Sequence, residues 1–229
     1  MNDAHTSQLG SRRGCTGPRS PRIVLATHNA KKLRELERVL AEHLGDEARG
    51  LVVSSADLAL PDVVEDGLTF ADNAVLKARA AAHHSGLLAV ADDSGLIVDV
   101  LGAAPGILSA RWAGRHGDDT ANNALLLAQL ADIAPEHRGA RFMCAAALAW
   151  PDGRAHVEIG EMRGTLLSAP RGAGGFGYDP LFVPEDPSAE GRTCAELTPQ
   201  EKDQISHRGR ALRALVGIVV SALREGPGL

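Results

Sequence analysis

The chain is short of cysteine, of aromatic side chains, of excess charge of either sign and of long apolar runs. Each shortage excludes something. Its three cysteines, Cys15, Cys144 and Cys194, are odd in number and far apart. They make neither a disulfide framework nor a zinc-type spacing, and they point to a reducing cytoplasm. A net charge of -5 over 229 residues gives no general attraction for nucleic acid; a polyanionic ligand requires a local cluster of positive groups instead. No apolar stretch approaches membrane-spanning length, since the best one, Ala214 to Leu223, reads as the end of a helix. Met1 to Ser20 is rich in Gly, Arg and Ser and has no apolar core, so it reads as a disordered extension and not as a secretory signal. Residues 21–229 remain as one domain, and 44% hydrophobic with 23% charged residues is ordinary for a folded globular protein.

What is present is an ordered series of helix and strand signals. Arg22 to Ala26 reads as a first strand, and Ala30 to Leu44 sets Leu33, Leu36, Val39, Leu40 and Leu44 on one helical stripe. Leu51-Val52-Val53 is a short strand. Thr69 caps a second helix with Asp72 three residues on, and Phe70, Ala74, Leu76 and Ala80 supply its apolar side. Asp119 or Thr120 opens a third helix through Leu130. Ala140 to Trp150, the turn Pro151-Asp152-Gly153 and Arg154 to Arg163 form a long hairpin. Thr198-Pro199-Gln200-Glu201 combines a cap, a first-position proline and a third-position glutamate, which starts another helix. Hairpin-type and parallel-type strands mixed with helices imply a mixed α/β sheet.

The densest chemistry lies in Ala91-Asp92-Asp93-Ser94-Gly95-Leu96, between the apolar runs Leu87–Val90 and Leu96–Val100. Read as a loop at a strand tip, it sets two carboxylates and a hydroxyl side by side, an arrangement stabilised by a cation or a raised pKa. A solvated turn has the same composition. Thr27-His28-Asn29-Ala30-Lys31-Lys32 spans a strand-to-helix junction, where free N–H groups and the helix dipole attract anions; a capped helix with solvated lysines fits it too. Glu65-Asp66-Gly67 offers a further carboxylate before the second helix, with Lys77 two turns along.

Gly172 to Pro180 gathers glycines around Phe176 and Tyr178 in a chain only 3% aromatic. Close backbone approach and ring stacking on a planar base are what such a loop offers. Its G-x-G-x-x-G spacing does not signal a dinucleotide fold, because Pro170 and Pro180 remove the strand-to-helix context. Lys202, His207 and Arg208 cannot share one face of a straight helix at about 100° per residue. A break near Ser206 would let them converge; otherwise they are a basic solvated surface.

Together these segments resemble the inosine triphosphate pyrophosphatase (HAM1-like) family from about Ile23 to Leu223. The motifs that carry the likeness are Thr-x-Asn-x-x-Lys, Gly-Leu-Thr-Phe, Ala-Asp-Asp-Ser-Gly-Leu, Pro-Gly-Ile-x-Ser-Ala-Arg, Gly-Phe-Gly-Tyr-Asp-Pro and Ser-His-Arg-Gly, in that order. The resemblance implies an α/β fold with two lobes, a long mixed sheet flanked by helices, a cleft between the lobes, and a homodimer. It implies Mg²⁺-dependent hydrolysis of non-standard purine nucleoside triphosphates, such as those of inosine, deoxyinosine and xanthosine, to a monophosphate and pyrophosphate. The family's proton acceptor falls on Asp93 and its metal carboxylates on Glu65 and Asp93, with Asp92 beside them. Phosphate contacts fall on Thr27, His28, Asn29, Ala30, Lys31, Lys32, Ser94 and Lys77. Base and sugar contacts fall on Phe176, Gly177, Tyr178, Asp179, Lys202, His207 and Arg208. A nucleotide sensor without catalysis and a Maf-type pyrophosphatase acting on other bases are the two rival readings.

Overall fold

One long strand organises the sheet. In the computed structural model, which describes residues 22–27 and 29–225, β3 (Leu88–Val98) joins a parallel half to an antiparallel half. The extension Met1 to Ser20 and His28 lie outside the described residues. β1 (Ile23–Leu25) and β2 (Val52–Ser54) run parallel to the start of β3, while β4 (Gly139–Ala149), β5 (Ala155–Leu166) and β6 (Phe182–Pro184) continue antiparallel. The order is β2-β1-β3-β4-β5-β6, the mixed sheet that the element pattern implies.

The Asp-Asp-Ser-Gly segment corrects the sequence reading, for it is no turn. Asp92, Asp93, Ser94 and Gly95 pair in register with Ala146, Ala145, Cys144 and Met143 of β4, in the middle of the strand. The hairpin partner supplies the backbone hydrogen bonds that a loop would have lost, and small residues opposite leave room for the polar side chains. The neighbour on the other side stops earlier: β1 pairs only as far as Leu25 with Val90. The aspartates therefore stand just past the end of β1. Strand alternation then sends Asp92 and Asp93 to opposite faces of the sheet.

Each face is covered by helices. α1 (Ala30–Leu44) and α5 (His207–Glu225) bury Leu36, Val39, Leu40, Leu212, Leu215 and Val219 on the face that carries Val90 and Asp92. Each such leucine contributes about 1.5–3 kcal/mol of transfer free energy. α2 (Phe70–Ser85) begins at a reciprocal Thr69–Asp72 capping box and covers the other face. There Ala74, Ala78, Ala81 and Ala82 meet Ala89, Ala91, Ala145 and Ala147, and small residues on both sides let helix and sheet approach closely. Leu76, expected on the apolar side, is 37% exposed instead, because the buried stripe runs through 70, 74, 78 and 81. α3 (Asp119–Gln129) packs Leu126 against the distal half of the sheet, with Leu96, Phe142, Met162, Tyr178 and Phe182.

The expected break near Ser206 is present. α4 (Pro199–Ile205) ends there, Ser206 is extended, and its Oγ accepts from the Gly209 N–H at 3.0 Å to start α5. Gly160 of β5 makes this possible, since a Cβ at that position would lie 2.1 Å from the His207 carbonyl oxygen. The first turn of α5 thus sits directly on the sheet, bringing His207 and Arg208 beside β3.

Candidate active site

On the α2 face, Asp93 is held by its neighbours before any ligand is considered. Asn73 Nδ2 donates to Asp93 Oδ2 at 3.0 Å, and the Ser94 N–H donates to Oδ1 at 2.9 Å. Lys77 Nζ lies 2.9 Å from Glu65 Oε1 and 3.8 Å from Asp93 Oδ1, so one ammonium serves two carboxylates. Burial pushes the Asp93 carboxyl above its usual range, while Lys77 and the Asn73 hydrogen bond pull the other way. A partly desolvated carboxylate with a raised pKa is suited to taking a proton near neutral pH. Among the described residues no group of three or more His, Cys, Asp or Glu side chains surrounds a common point. Two hard oxygen donors fit Mg²⁺, which commonly keeps waters and substrate phosphate in its remaining positions.

On the opposite face, Asp92 is 6% exposed, and its Oδ2 accepts from Lys32 Nζ at 2.9 Å and Arg208 Nε at 3.0 Å. Arg208 Nη2 also donates to Ser94 Oγ at 3.1 Å. Burial would raise the Asp92 carboxyl, but Lys32 and Arg208 outweigh it and hold it well below the usual carboxylate range. Asp92 is thus the partner of two cations, which corrects the picture of two adjacent, mutually repelling carboxylates. Lys32 rises from the first turn of α1, where Asn29 Oδ1 accepts from the Lys31 N–H at 2.8 Å and no acidic residue opposes the dipole. Basic side chains at a positive helix end leave an uncompensated attraction for anions.

A cavity of about 370 Å³ opens past the ends of β1 and β2, lined by Thr27, Lys32, Glu65, Lys77, Asp92 and His116 among others. Ligands of open α/β sheets bind at such carboxyl ends, where successive connections leave toward opposite faces, as α1 and α2 do here. Asp93 stands behind Lys77 and is 15% exposed.

The glycine-rich segment provides a different kind of surface. Phe176 is 58% exposed, with Lys202 Nζ 4.6 Å from its ring centroid. Lys202 is ion-paired with Asp179, whose Oδ2 also accepts from the Phe176 N–H at 2.9 Å. At Gly175 a Cβ would fall 2.1 Å from Asp179 Oδ2, and φ is +74°, so only glycine fits. Tyr178 departs from expectation: it is 4% exposed, packs in the core, and donates its hydroxyl to the Ser109 carbonyl at 2.9 Å. Its ring is a support for the loop, and Phe176 is the exposed ring. His207 is 7% exposed and stacks on Phe142 at 5.0 Å, with a buried Nδ1 that has no partner. Burial and the nearby Arg208 and Lys202 charges push its pKa well below the ordinary value, which keeps it neutral.

A sequence model of the Ham1 family matches residues 23–218. The chain belongs to the Ham1 family. It is 62% identical over 198 residues to the dITP/XTP pyrophosphatase of Streptomyces coelicolor, across 86% of this chain and 96% of that one. It is 57% identical over 198 residues to the dITP/XTP pyrophosphatase of Corynebacterium efficiens, across 85% and 95%. Among solved structures, the HAM1 protein of Coxiella burnetii superposes with a TM-score of 0.77 at 39% identity, covering 88% of this chain and all 100% of that one. The nucleoside-triphosphatase / dITP/XTP pyrophosphatase of Mycobacterium abscessus gives 0.69 at 54% identity, over 84% and 97%.

Against this Ham1-family fold, two site residues escaped the sequence reading. Asn73, 1% exposed, both orients Asp93 and accepts from the Gly67 N–H at 2.9 Å, tying the Glu65 loop to α2. A polar side chain one position before the apolar residue Ala74 on the 70/74/78 stripe was the available signal. Glu35, one turn beyond Lys32, has its carboxyl raised by burial, with Arg208 pulling it down; only the structure reveals that proximity.

Proposed function

We propose that this protein is a nucleoside triphosphate pyrophosphatase that hydrolyses non-standard purine nucleotides, those of inosine, deoxyinosine and xanthosine, to the monophosphate and pyrophosphate. The carrying observation is Asp93: a buried carboxylate of raised pKa, oriented by Asn73 and sharing Lys77 with Glu65 beside a cavity edged with lysines. The names of the dITP/XTP pyrophosphatases to which the chain is 57–62% identical support the same reading.

Asp93 takes the proton of the attacking water, and Asn73 keeps the carboxylate pointed. Lys32, Thr27 and the start of α1 bind phosphoryl oxygens. Lys77 neutralises two carboxylates in the ligand-free protein; a triphosphate offers its ammonium a more strongly charged partner and releases Glu65 and Asp93. Those two would hold Mg²⁺, which when bound supplies charge stabilisation to the phosphoryl oxygens. At the other end Phe176 offers its ring face to the purine. Lys202, beside that ring, offers its ammonium to the six-oxo edge that adenine lacks. The same reading, through the family likeness, makes the enzyme a cytoplasmic homodimer, which light scattering tests for assembly.

Incubation with deoxyinosine triphosphate and Mg²⁺, followed by chromatography, tests the reaction class. Equal amounts of monophosphate and pyrophosphate are expected. Diphosphate with free phosphate would overturn the reading, and an unconsumed but bound nucleotide would favour a sensor.

A further inference from the structure

The segment that carries Phe176 has no regular secondary structure, so other elements must fix its backbone. α3 does this with two side chains one turn apart. Asp119 Oδ2 accepts from the Gly177 N–H at 2.6 Å, and Asn123 Nδ2 donates to the Gly177 carbonyl at 2.9 Å. Positions four apart share a helix face, so both polar groups of one residue are met from one side. A third tie runs from the Tyr178 hydroxyl to the Ser109 carbonyl at 2.9 Å. Ser109 is itself locked to β3, for its Oγ accepts from the Leu96 N–H at 2.9 Å and donates to the Gly106 carbonyl at 2.6 Å. The Pro-Gly-Ile-x-Ser-Ala-Arg motif, otherwise unused by the site, is thereby a second pillar under the loop.

The clamp is held at a cost. Asn123 Oδ1 is buried without a partner, because the amide is turned so that its nitrogen reaches Gly177. α3 is in turn anchored: Asp118 caps it through the Ala121 N–H at 3.1 Å. The 2%-exposed Asn122 accepts from the Ala113 N–H at 2.7 Å and donates to the Ala110 carbonyl at 3.3 Å. The helix cannot drift from the segment holding Ala110 and Ala113 without breaking the Asn122 contacts.

We infer that Asp119 and Asn123 are positioning residues that set base selectivity, by clamping Gly177 so that the exposed Phe176 ring is fixed against Lys202. The inference rests on the proposed nucleotide reaction. The pair acts through Gly177 and Phe176 and leaves the phosphate end alone. Recognition of a planar base by stacking and edge hydrogen bonds depends on placement, and a shift of about 1 Å there loses much of it.

The test uses Asp119→Ala and Asn123→Leu, with Asp119→Asn as the conservative variant that keeps an oxygen for the Gly177 N–H. Amide exchange on the free protein reads the clamp without substrate: Gly177 exchanges about tenfold faster or more in Asp119→Ala and near the wild-type rate in Asp119→Asn. Kinetics reads its purpose. KM for deoxyinosine triphosphate rises about tenfold in Asp119→Ala and Asn123→Leu, as loss of one strong hydrogen bond implies. The preference over deoxyadenosine triphosphate falls with it, kcat stays within about twofold, and inhibition by inorganic pyrophosphate does not change. Asp119→Asn restores KM. A merely structural role would lower the active fraction and leave KM and base preference alone. Unchanged Gly177 exchange, unchanged KM and preference, or an equal shift in pyrophosphate inhibition would each overturn the inference. A wild-type protein that cleaves no nucleoside triphosphate would overturn the functional reading itself and the selectivity role with it.

Discussion

Replacing Asp92 with asparagine separates the roles of the two adjacent aspartates. The carboxylate is 5% exposed, and its Oδ2 lies 2.9 Å from Lys32 Nζ and 3.0 Å from Arg208 Nε. Asparagine keeps the shape and one oxygen but cancels the charge, so two cations are left facing each other. Lys32 is 24% exposed and can turn toward water, whereas Arg208 is 12% exposed and cannot. Removing one member of a buried ion pair costs about 3–5 kcal/mol, and the escape of Lys32 puts the expectation near the lower end, about 3 kcal/mol. With a urea m-value of roughly 2–3 kcal/mol per molar, the unfolding midpoint falls by roughly 1–1.5 M. Lys32 and Arg208 hold the Asp92 carboxyl below its unfolded value despite burial. Its contribution is therefore complete above about pH 4, and the gap between wild type and variant narrows only as the pH falls below that. Because the Asp92 carboxylate is taken up by Lys32 and Arg208, the Mg²⁺ dependence of the remaining activity stays within about twofold of wild type. A destabilisation below about 1 kcal/mol in a urea titration, or a clear shift in the metal titration, would refute this division of labour.

Other expectations follow from the same contacts. Asp93→Asn keeps nucleotide binding but lowers kcat by roughly 10²–10⁴-fold, read by steady-state kinetics; near-wild-type turnover would remove Asp93 from the mechanism. Glu65→Gln raises the Mg²⁺ concentration at half-maximal rate while leaving the urea midpoint close to wild type, and an unchanged metal titration would leave Glu65 as a loop residue only. His207 has a lowered pKa in the folded protein against 6.5 unfolded, so below pH 6.5 the unfolded chain binds the extra proton and stability declines. The slope is at most about 1.4 kcal/mol per pH unit, and His207→Gln should flatten it; parallel curves between pH 7 and 5 would mean that His207 is not held neutral.

Much of the fold was legible because its signals are local. The Thr69 and Thr198 capping boxes, the hairpin of β4 and β5 and the break at Ser206 all depend on residues within a few positions of one another. The aspartate segment was misread for the opposite reason. Polar residues inside a strand look like a turn until the partner strand is known, and the register of β3 with Ala145 and Ala146 is a long-range fact. The same holds for the split between Asp92 and Asp93, which follows from that register and from helices on both faces. Tyr178 and Phe176 share one loop and one kind of ring, yet only packing against Ser109 and the distal core separates the support from the exposed surface. Residues that act through others, such as Asn73 and Asp119, leave little trace in a single sequence, because their partners Asp93 and Gly177 are brought near only by folding.

Selective pyrophosphate release from non-standard purine nucleotides is tested most directly by a competition assay. Deoxyinosine and deoxyadenosine triphosphates are mixed in equal amounts with the enzyme and Mg²⁺, and all species are followed by chromatography. Deoxyinosine triphosphate is expected to be converted to its monophosphate and pyrophosphate while deoxyadenosine triphosphate persists. Consumption of both at the same rate, or the appearance of diphosphates, would contradict it.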